Sequence, residues 1–551
     1  PAVLFSSHDP KKDRVEGTVT HQSGNRLKIT LFTDELPDWS RDGKLGVELL
    51  FDNNSYDEMQ NALKQASAIR EKPEGKLARV LTGESVPQFS GQTIVPALPG
   101  LNGSQAAAVH KILSAQDLAI VHGPPGTGKT TTLVQVIKAL IAQDKQQILV
   151  VAPSNTAVDL LSEKLSNEGL NVLRIGNPAR VSEKLVSLTL DSKMAEHSYV
   201  KDVKKLKKQA SEYKNMAHKY KRNFGRAERD QRKALFDEAH KIMREVDKSE
   251  QFIIDDLVSK AQVITATLVG SNHYTVRDVK FNTVVIDEAG QALEPACWIP
   301  ILKAQKLIMA GDHLQLPPTI KSNEAARAGL STTLLEKCVA LYPEAVTLLD
   351  EQYRMNETIM GFSSTEFYDG RLKAHASVAH QLLFPGDLPF TFIDTAGCGF
   401  DEKLEGTSSV NPEEAAFLVK HLTHLAEELS ADTFPSIAVI SPYKEQIRIL
   451  QELAAASEIL KPFSDKISVN TIDSFQGQER DVVYISMTRS NTDGAIGFLS
   501  DIRRMNVAIT RAKKKLVIIG DSSTLGNFPF YADLIKYAEG VAGYKSAWEY
   551  L

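Results

Sequence analysis

Residues 118–132, LAIVHGPPGTGKTTT, restrict what this chain can fold into more than any other part of it. Residues 118–121 are a short apolar run of the kind that forms a buried strand. Gly123-Pro124-Pro125-Gly126-Thr127-Gly128-Lys129-Thr130 then fits the pattern G-x-x-x-x-G-K-[ST]. Thr131 and Thr132 lead into a segment where Leu133, Val136, Ile137 and Leu140 recur at helical spacing. Strand, glycine-rich loop and helix in this order build a phosphate cradle. Glycine lets the backbone wrap an anion and turn its N–H groups inward, and the first helical turn adds a favourable dipole. Lys129 is expected to reach the β- and γ-phosphates and the Thr130 hydroxyl to ligate Mg²⁺. A chance glycine-rich turn would not explain the flanking elements. Gly123 to Thr131 are expected to bind a nucleoside triphosphate.

A cradle of this kind needs an acid for the metal and a group that orients water. Residues 283–286 form an apolar run that ends in Asp287-Glu288-Ala289-Gly290-Gln291. Asp287 is expected to hold Mg²⁺, directly or through water, and Glu288 to orient and deprotonate the attacking water. A further strand at 306–310 ends in Gly311-Asp312-His313-Leu314-Gln315, where Gln315 either senses a γ-phosphate or holds a turn. Upstream, Gln105 opens a helix through Val109 and Ile112. Its amide carries the donor and acceptor that an adenine edge needs, although a surface glutamine is the plainer reading. The strand Ile148–Ala152 runs into Pro153-Ser154-Asn155-Thr156-Ala157, at the strand end where open α/β sheets bind ligands. The α/β rhythm resumes at residues 262–267.

A second α/β unit is expected from about Ala345, with strands at 346–349, 437–440, 482–485 and 516–519 and no second phosphate loop. It carries Arg354, in EQYRM, and Arg511, in NVAITRA. One lobe with a phosphate cradle and another with arginines suggest a nucleotide between them, with arginine fingers supplied in the same chain. Such fingers contribute about 10³–10⁵ in hydrolysis rate.

The rest of the chain frames these lobes. At 551 residues it is too long for one core. Residues 1–55 read as short strands at 15–20, 26–32 and 47–50, a small barrel or meander that either grips nucleic-acid backbone or is purely structural. From Asn54 to about Glu71 a polar helical pattern sets Met59, Leu63 and Ala66 on one side. From Lys201 to Glu250 there are 16 Lys or Arg against 9 Asp or Glu, a local +7 in a chain of formal charge −5. Leu206, Tyr213, Met216 and Tyr220 keep helical spacing there. The expectation is an inserted helical hairpin, either a solvated arm or a contact for nucleic-acid phosphates. Cys297, Cys338 and Cys398 are scattered, which excludes a disulfide framework or a cysteine zinc site and suits a reducing compartment. No apolar run reaches membrane-spanning length and no signal peptide is visible. The chain opens on Pro1 rather than Met, so a trimmed N-terminus is expected.

Taken together, GPPGTGKT, APSNTAVD, DEAGQALEPACWIP, GDHLQLPP, EQYRM, TIDSFQGQERDVV and NVAITRAK resemble, in order, the motifs of superfamily 1B helicases of the up-frameshift-like branch. Within that branch the wording is similar to the immunoglobulin mu-binding protein 2 like helicases. The resemblance covers nearly the whole chain. It implies two tandem RecA-like domains, at 96–344 and 345–551, the first carrying the basic helical insertion of about 191–260. A small β-barrel at 1–55, incomplete at its start, and a helical stalk at 56–95 would precede them. It further implies that Gln105 reads adenine, Tyr353 stacks on it and Glu479 holds the ribose, while Gln315, Arg354 and Arg511 contact the γ-phosphate. Ser154, Asn155, Thr265, Thr267, Pro442, Tyr443, Thr471 and Ser474 fall at positions that line the single-strand track in such enzymes. The small nucleic-acid-binding domain and zinc finger that end the animal relatives have no counterpart before residue 551, so a microbial relative or a trimmed chain is expected.

The expectation is an ATP- and Mg²⁺-dependent monomeric motor that moves 5′ to 3′ on single-stranded RNA or DNA, cytoplasmic, or nuclear in a eukaryote, with no membrane partner. The alternative is a nucleic-acid-stimulated ATPase clamp that displaces proteins without separating duplexes. A GTPase would need an N/T-K-x-D motif and an ABC-type ATPase an LSGGQ-like signature; neither occurs.

Overall fold

The computed structural model describes residues 2–10, 12–23, 26–31, 33, 36–41, 44–49, 54–91, 100–176, 181–219, 225–406 and 408–551. The chain divides into two compact units. One comprises residues 1–85, 144–286 and 294–307, the other residues 86–143, 287–293 and 308–551. Among the described residues no helix is long and apolar enough to cross a membrane.

In the first unit a four-stranded antiparallel sheet runs in the order Arg26–Leu31, Arg14–Ser23, Ala2–Ser6, Leu45–Leu49. Turn signals locate three of these strands. Ala2–Ser6 escapes them because no turn precedes it, yet it takes an inner position and buries Ala2 and Val3 completely. Among the described residues this sheet keeps two edge strands and does not close into the expected barrel. Phe32 and Leu50, expected in two of the strands, lie outside the described residues. The helix Asn54–Arg70 packs on the helix Glu294–Ile301, and its buried side chains are the short ones of Ala62 and Ala66. Leu63, expected inward, is exposed, and Met59 is only half-buried. Alanine carries little hydrophobic signal in a sequence but permits close helix approach.

Four parallel strands of the same unit neighbour one another in the order Phe281–Ile286, Ile148–Ala152, Val263–Thr267, Val172–Arg174. They are almost continuously apolar, as strands covered on both faces must be. The expected hairpin is there. Val200–His218 and Arg226–Lys260 pair along a seam in which Val203, Ala210 and Ala217 are buried on the first helix, and Val246 and Ile253 on the second. The seven-residue spacing is that of a coiled-coil seam. Met216, expected on the packed face, is exposed, and Tyr220 lies outside the described residues. Lys207 and Glu250 bridge the two helices at 2.7 Å.

In the second unit Leu118–His122, the strand that feeds the phosphate loop, lies between Val346–Leu348 and the 308–311 end of the strand Ala304–Gly311. The first of these corrects the sequence reading. Val346 pairs in parallel with Ile120, so this strand extends the sheet of the phosphate loop rather than opening the second sheet. That second sheet is six-stranded and all parallel, ordered Ile467–Asn470, Ile437–Ile440, Arg480–Ser486, Ala512–Gly520, Phe390–Asp394, Tyr544–Ser546. Its two faces bury separate cores: Leu516 and Ile518 face one, and the alternating Val517 and Ile519 face the other.

Candidate nucleotide and strand-binding site

The phosphate loop is held in shape by its glycines. Gly126 and Gly128 have φ of +77° and +75°, the left-handed region that glycine enters without steric cost. They are also crowded: a Cβ on Gly126 would lie 2.7 Å from Cβ of Arg354, and one on Gly128 2.6 Å from Nε2 of Gln105. The Thr127 hydroxyl donates to the Pro124 carbonyl at 2.7 Å and closes the loop. Helix Lys129–Asp144 follows and buries Leu133, Val136, Ile137 and Leu140, the residues its periodicity selects.

Gln105 lies against this loop, 5 % exposed. Its Nε2 donates to the Thr127 carbonyl at 3.0 Å, and its Oε1 accepts the Asn102 N–H at 3.0 Å. Asn102 in turn accepts the Gln105 N–H at 2.8 Å, a reciprocal cap on the helix Gly103–Ser114. One donor and one acceptor of the amide are engaged within the protein, so Gln105 braces the cradle and keeps one N–H and one oxygen lone pair beyond these bonds.

Lys129 faces the two acids. Its Nζ is 2.6 Å from Oε1 of Glu288 and 3.5 Å from Oδ1 of Asp287. Burial pulls the ammonium pKa down, but the carboxylates of Glu288 and Asp287 outweigh it and the net shift is upward. Burial also raises the Asp287 carboxyl, with Lys129 opposing it. Glu288 sits at φ +52°, a conformation that non-glycine residues rarely hold. The Gln291 amide donates to its Oε2 at 2.8 Å, so its head group is fixed from both sides. Thr130, at the first turn of the helix, and Asp287 offer hard oxygen donors, the set that suits Mg²⁺.

Around these groups the structure adds a network that sequence reasoning missed. Asp312, 4 % exposed, meets Nε2 of His122 at 2.9 Å and accepts from the Tyr368 hydroxyl at 2.7 Å and from Nε2 of Gln315 at 2.8 Å. Burial would raise its carboxyl, but these partners bring it down to about 2. Asn506 donates to the Tyr368 hydroxyl at 3.1 Å and to the Leu314 carbonyl at 2.9 Å. Arg511, 2 % exposed, donates to the carbonyls of Val507 and Gln478 and reaches Oε1 of Gln315 at 3.4 Å. Burial and then the charge of Arg354 lower its pKa to about 9. Arg354 is paired with Glu479 at 2.7 Å and donates to the Thr510 carbonyl at 3.1 Å. Glu479, expected at the ribose, thus holds an arginine in this state. Tyr353 is partly exposed, packs against His375 and accepts from Asn102 at 3.0 Å. The phosphate loop, Gln105, Asp287, Glu288, Gln315, Tyr353, Arg354, Glu479 and Arg511 all belong to the second unit.

The candidate strand contacts divide differently. In the first unit, Ser154 is exposed and caps the helix Asn155–Asn167, accepting the Ala157 N–H at 3.2 Å. Asn155 is half-buried and accepts from the buried Arg174 at 2.9 Å. Thr267 accepts the Gly270 N–H at 3.1 Å. Thr265 corrects the expectation: it is fully buried with its hydroxyl bonded to Ser162 at 2.8 Å, so it has no surface for a strand. In the second unit, Thr471 and Ser474 reach solvent and Pro442 is half-buried. Tyr443 is 3 % exposed, its ring enclosed rather than offered.

Two family models, each described as an AAA domain, match residues 100–323 and 330–523, in agreement with two tandem RecA-like domains. The chain is 35 % identical over 552 residues to the DNA-binding protein SMUBP-2 of Mesocricetus auratus, covering 95 % of this chain and 54 % of that one. It is 32 % identical to an uncharacterized ATP-dependent helicase of Methanocaldococcus jannaschii, over 98 % of this chain and 85 % of the relative. To the DNA polymerase alpha-associated DNA helicase A of Saccharomyces cerevisiae it is 35 % identical, over 95 % and 81 % respectively. The chain therefore spans about half the length of the animal relative and most of the archaeal and yeast ones. With phosphate loop, adjacent acids and paired arginines gathered in one unit, and identity of this extent, the chain belongs to the superfamily 1B helicases of the up-frameshift-like branch.

Proposed function

We propose that the chain is an ATP-driven motor that moves 5′ to 3′ along single-stranded RNA or DNA and separates duplexes, working as a monomer in the cytoplasm or nucleus. The observation that carries this reading is the convergence of Lys129, Asp287, Glu288, Gln315, Arg354 and Arg511 around one glycine-rich loop. Residues 96–344 and 345–551 are taken as the two motor domains, with Val346–Leu348 added to the first sheet.

The chemistry assigns each residue a task. Lys129 exchanges its bond to Glu288 for phosphate oxygens, which frees the glutamate carboxylate. Glu288 accepts a proton as water oxygen bonds to the γ-phosphorus and the bridging oxygen leaves with the diphosphate. Thr130 and Asp287 would hold Mg²⁺, which would supply positive charge to offset that of the phosphate oxygens. Arg511 and Gln315, already in contact, answer the γ-phosphate charge, and Arg354 joins them by releasing Glu479 for the ribose. Gln105 and Tyr353 hold the base. Ser154, Asn155, Thr267, Pro442, Thr471 and Ser474 are the strand contacts, mostly to phosphate and sugar, so binding is sequence-tolerant and salt-sensitive.

The test is unwinding of duplexes with a 5′ or a 3′ single-stranded tail, by wild type and by Lys129→Ala. The expected result is ATP-dependent separation of the 5′-tailed duplex alone, absent in the variant. ATP turnover stimulated by the strand without any separation would favour the clamp that displaces proteins, and wild-type turnover in Lys129→Ala would remove the site assignment.

A further inference from the structure

The turn Gly497–Ser500 presents its middle residue in a way the fold does not need. On either side, Ile496 and Leu499 point inward, 9 % and 2 % exposed, and the Leu499 carbonyl accepts the Tyr531 hydroxyl at 2.7 Å. Phe498 between them points outward and leaves 64 % of its surface exposed. An exposed aromatic on a loose loop would mean little. This one is held rigidly. Gly497 has φ +54°, and any Cβ there would run into Arg489 and the Tyr443 hydroxyl, so only glycine seats the turn this close. Arg489 is fixed by Glu402 at 2.8 Å, and the same carboxylate accepts the Ser490 N–H and the Asn491 amide. The Phe498 ring rests on Tyr443, with centroids 5.6 Å apart and planes tilted by 49°.

That placement resolves a mismatch in the strand-contact set. The family resemblance places Tyr443 among the positions that line the strand track, but Tyr443 is enclosed, its hydroxyl bonded to Arg489 and the Ile496 carbonyl. The ring surface open at this point of the second unit belongs to Phe498, adjoining Pro442–Tyr443. We propose that Phe498 is a stacking platform for a base of the single strand, with Tyr443 as the floor that holds its ring. The proposal rests on the strand-binding reading above. Every base has a π face, so such a platform grips without reading sequence, and one stacked base contributes roughly five- to 150-fold in affinity.

The test is a binding titration of wild type, Phe498→Ala, Phe498→Leu and Phe498→Trp with two labelled strands of equal length. One is an oligothymidylate and the other carries abasic sugars through its central tract. The alanine and leucine variants are expected to bind oligothymidylate roughly tenfold more weakly than wild type and the abasic strand equally well. The tryptophan variant is expected to bind oligothymidylate at least as tightly as wild type, with its added emission quenched by the bases. Equal weakening on both strands would make Phe498 a support of the local fold and overturn the proposal. Unchanged binding of both strands would also overturn it and turn the exposed ring toward a protein partner. Failure of wild type itself to bind either strand would remove the underlying strand-binding reading, and the stacking role with it.

Discussion

Arg511 shows how burial turns a common residue into a specific one. Its guanidinium is almost fully enclosed, bonded to two carbonyls and to Gln315, and its pKa is drawn down to about 9 by burial and by Arg354. An anion is the partner such a group lacks. Arg511→Ala is expected to leave nucleotide affinity within a few-fold and to lower turnover by roughly 10³–10⁵, while Arg511→Lys keeps the charge and recovers part of it. Titration with a fluorescent nucleotide beside steady-state hydrolysis separates the two, and normal turnover in the alanine variant would end the finger role. Glu414 is the opposite case. It is fully buried, accepts from Ser486 and from the Thr488 N–H, and burial raises its carboxyl from 4.5 to about 7. The folded state therefore holds this proton more tightly than the unfolded one. Stability from the group is fully present below pH 4.5 and is lost as pH rises through about 7, on the order of 3 kcal/mol. Glu414→Gln is expected to flatten the fall in melting temperature across that window, and identical pH profiles for variant and wild type would refute it. Residues of the first kind are legible in a sequence because phosphate chemistry dictates their spacing. His122, Asp312, Tyr368 and Asn506 are not: folding brings them together from distant places, and no local pattern marks a buried hydrogen-bond chain.

At the level of elements, the loop carrying Asp287 and Glu288 is shaped by contact rather than by propensity. The short helix Ala289–Gln291 follows Glu288 in its left-handed conformation, and a Cβ on Gly290 would lie 2.5 Å from the Asp312 carbonyl oxygen. Two loops, one with the acids and one with Asp312 and Gln315, are thus in backbone contact. Gly290→Ala is expected to force them apart and lower turnover at least tenfold, with helix content by circular dichroism unchanged; wild-type turnover would mean the contact has slack. Such close approaches are invisible in sequence, because a glycine in a turn looks the same whether or not another chain segment presses on it. The same limit explains the helix Asn54–Arg70, whose packed face is built on Ala62 and Ala66 while Leu63 faces solvent. It also explains Val346–Leu348, an apolar run whose periodicity reveals a strand but not which sheet receives it. Ile467–Asn470, Phe390–Asp394 and Tyr544–Ser546, three of the six strands in the second sheet, are not expected from the sequence, because runs of three to five residues show too little periodicity.

For the molecule as a whole, order along the chain carried the reading. One phosphate loop, one pair of acids, one glutamine and two arginines in a fixed sequence of α/β elements imply two lobes acting on one nucleotide. The two AAA-domain matches follow that division. The local +7 of the helical hairpin in a chain of net −5 means that any attraction for nucleic acid comes from particular surfaces and not from overall charge. Salt should then act on strand binding far more than on nucleotide binding. The most direct test of the motor is steady-state ATP hydrolysis at saturating nucleotide, with and without single-stranded RNA and DNA of matched length, at about 50 and 200 mM salt. Turnover is expected to rise at least tenfold with strand, and the strand concentration giving half-maximal stimulation to increase steeply with salt. Turnover that is high without a strand and unchanged by RNA, DNA or salt would contradict the account, leaving an ATPase whose lobes are not coupled to a track.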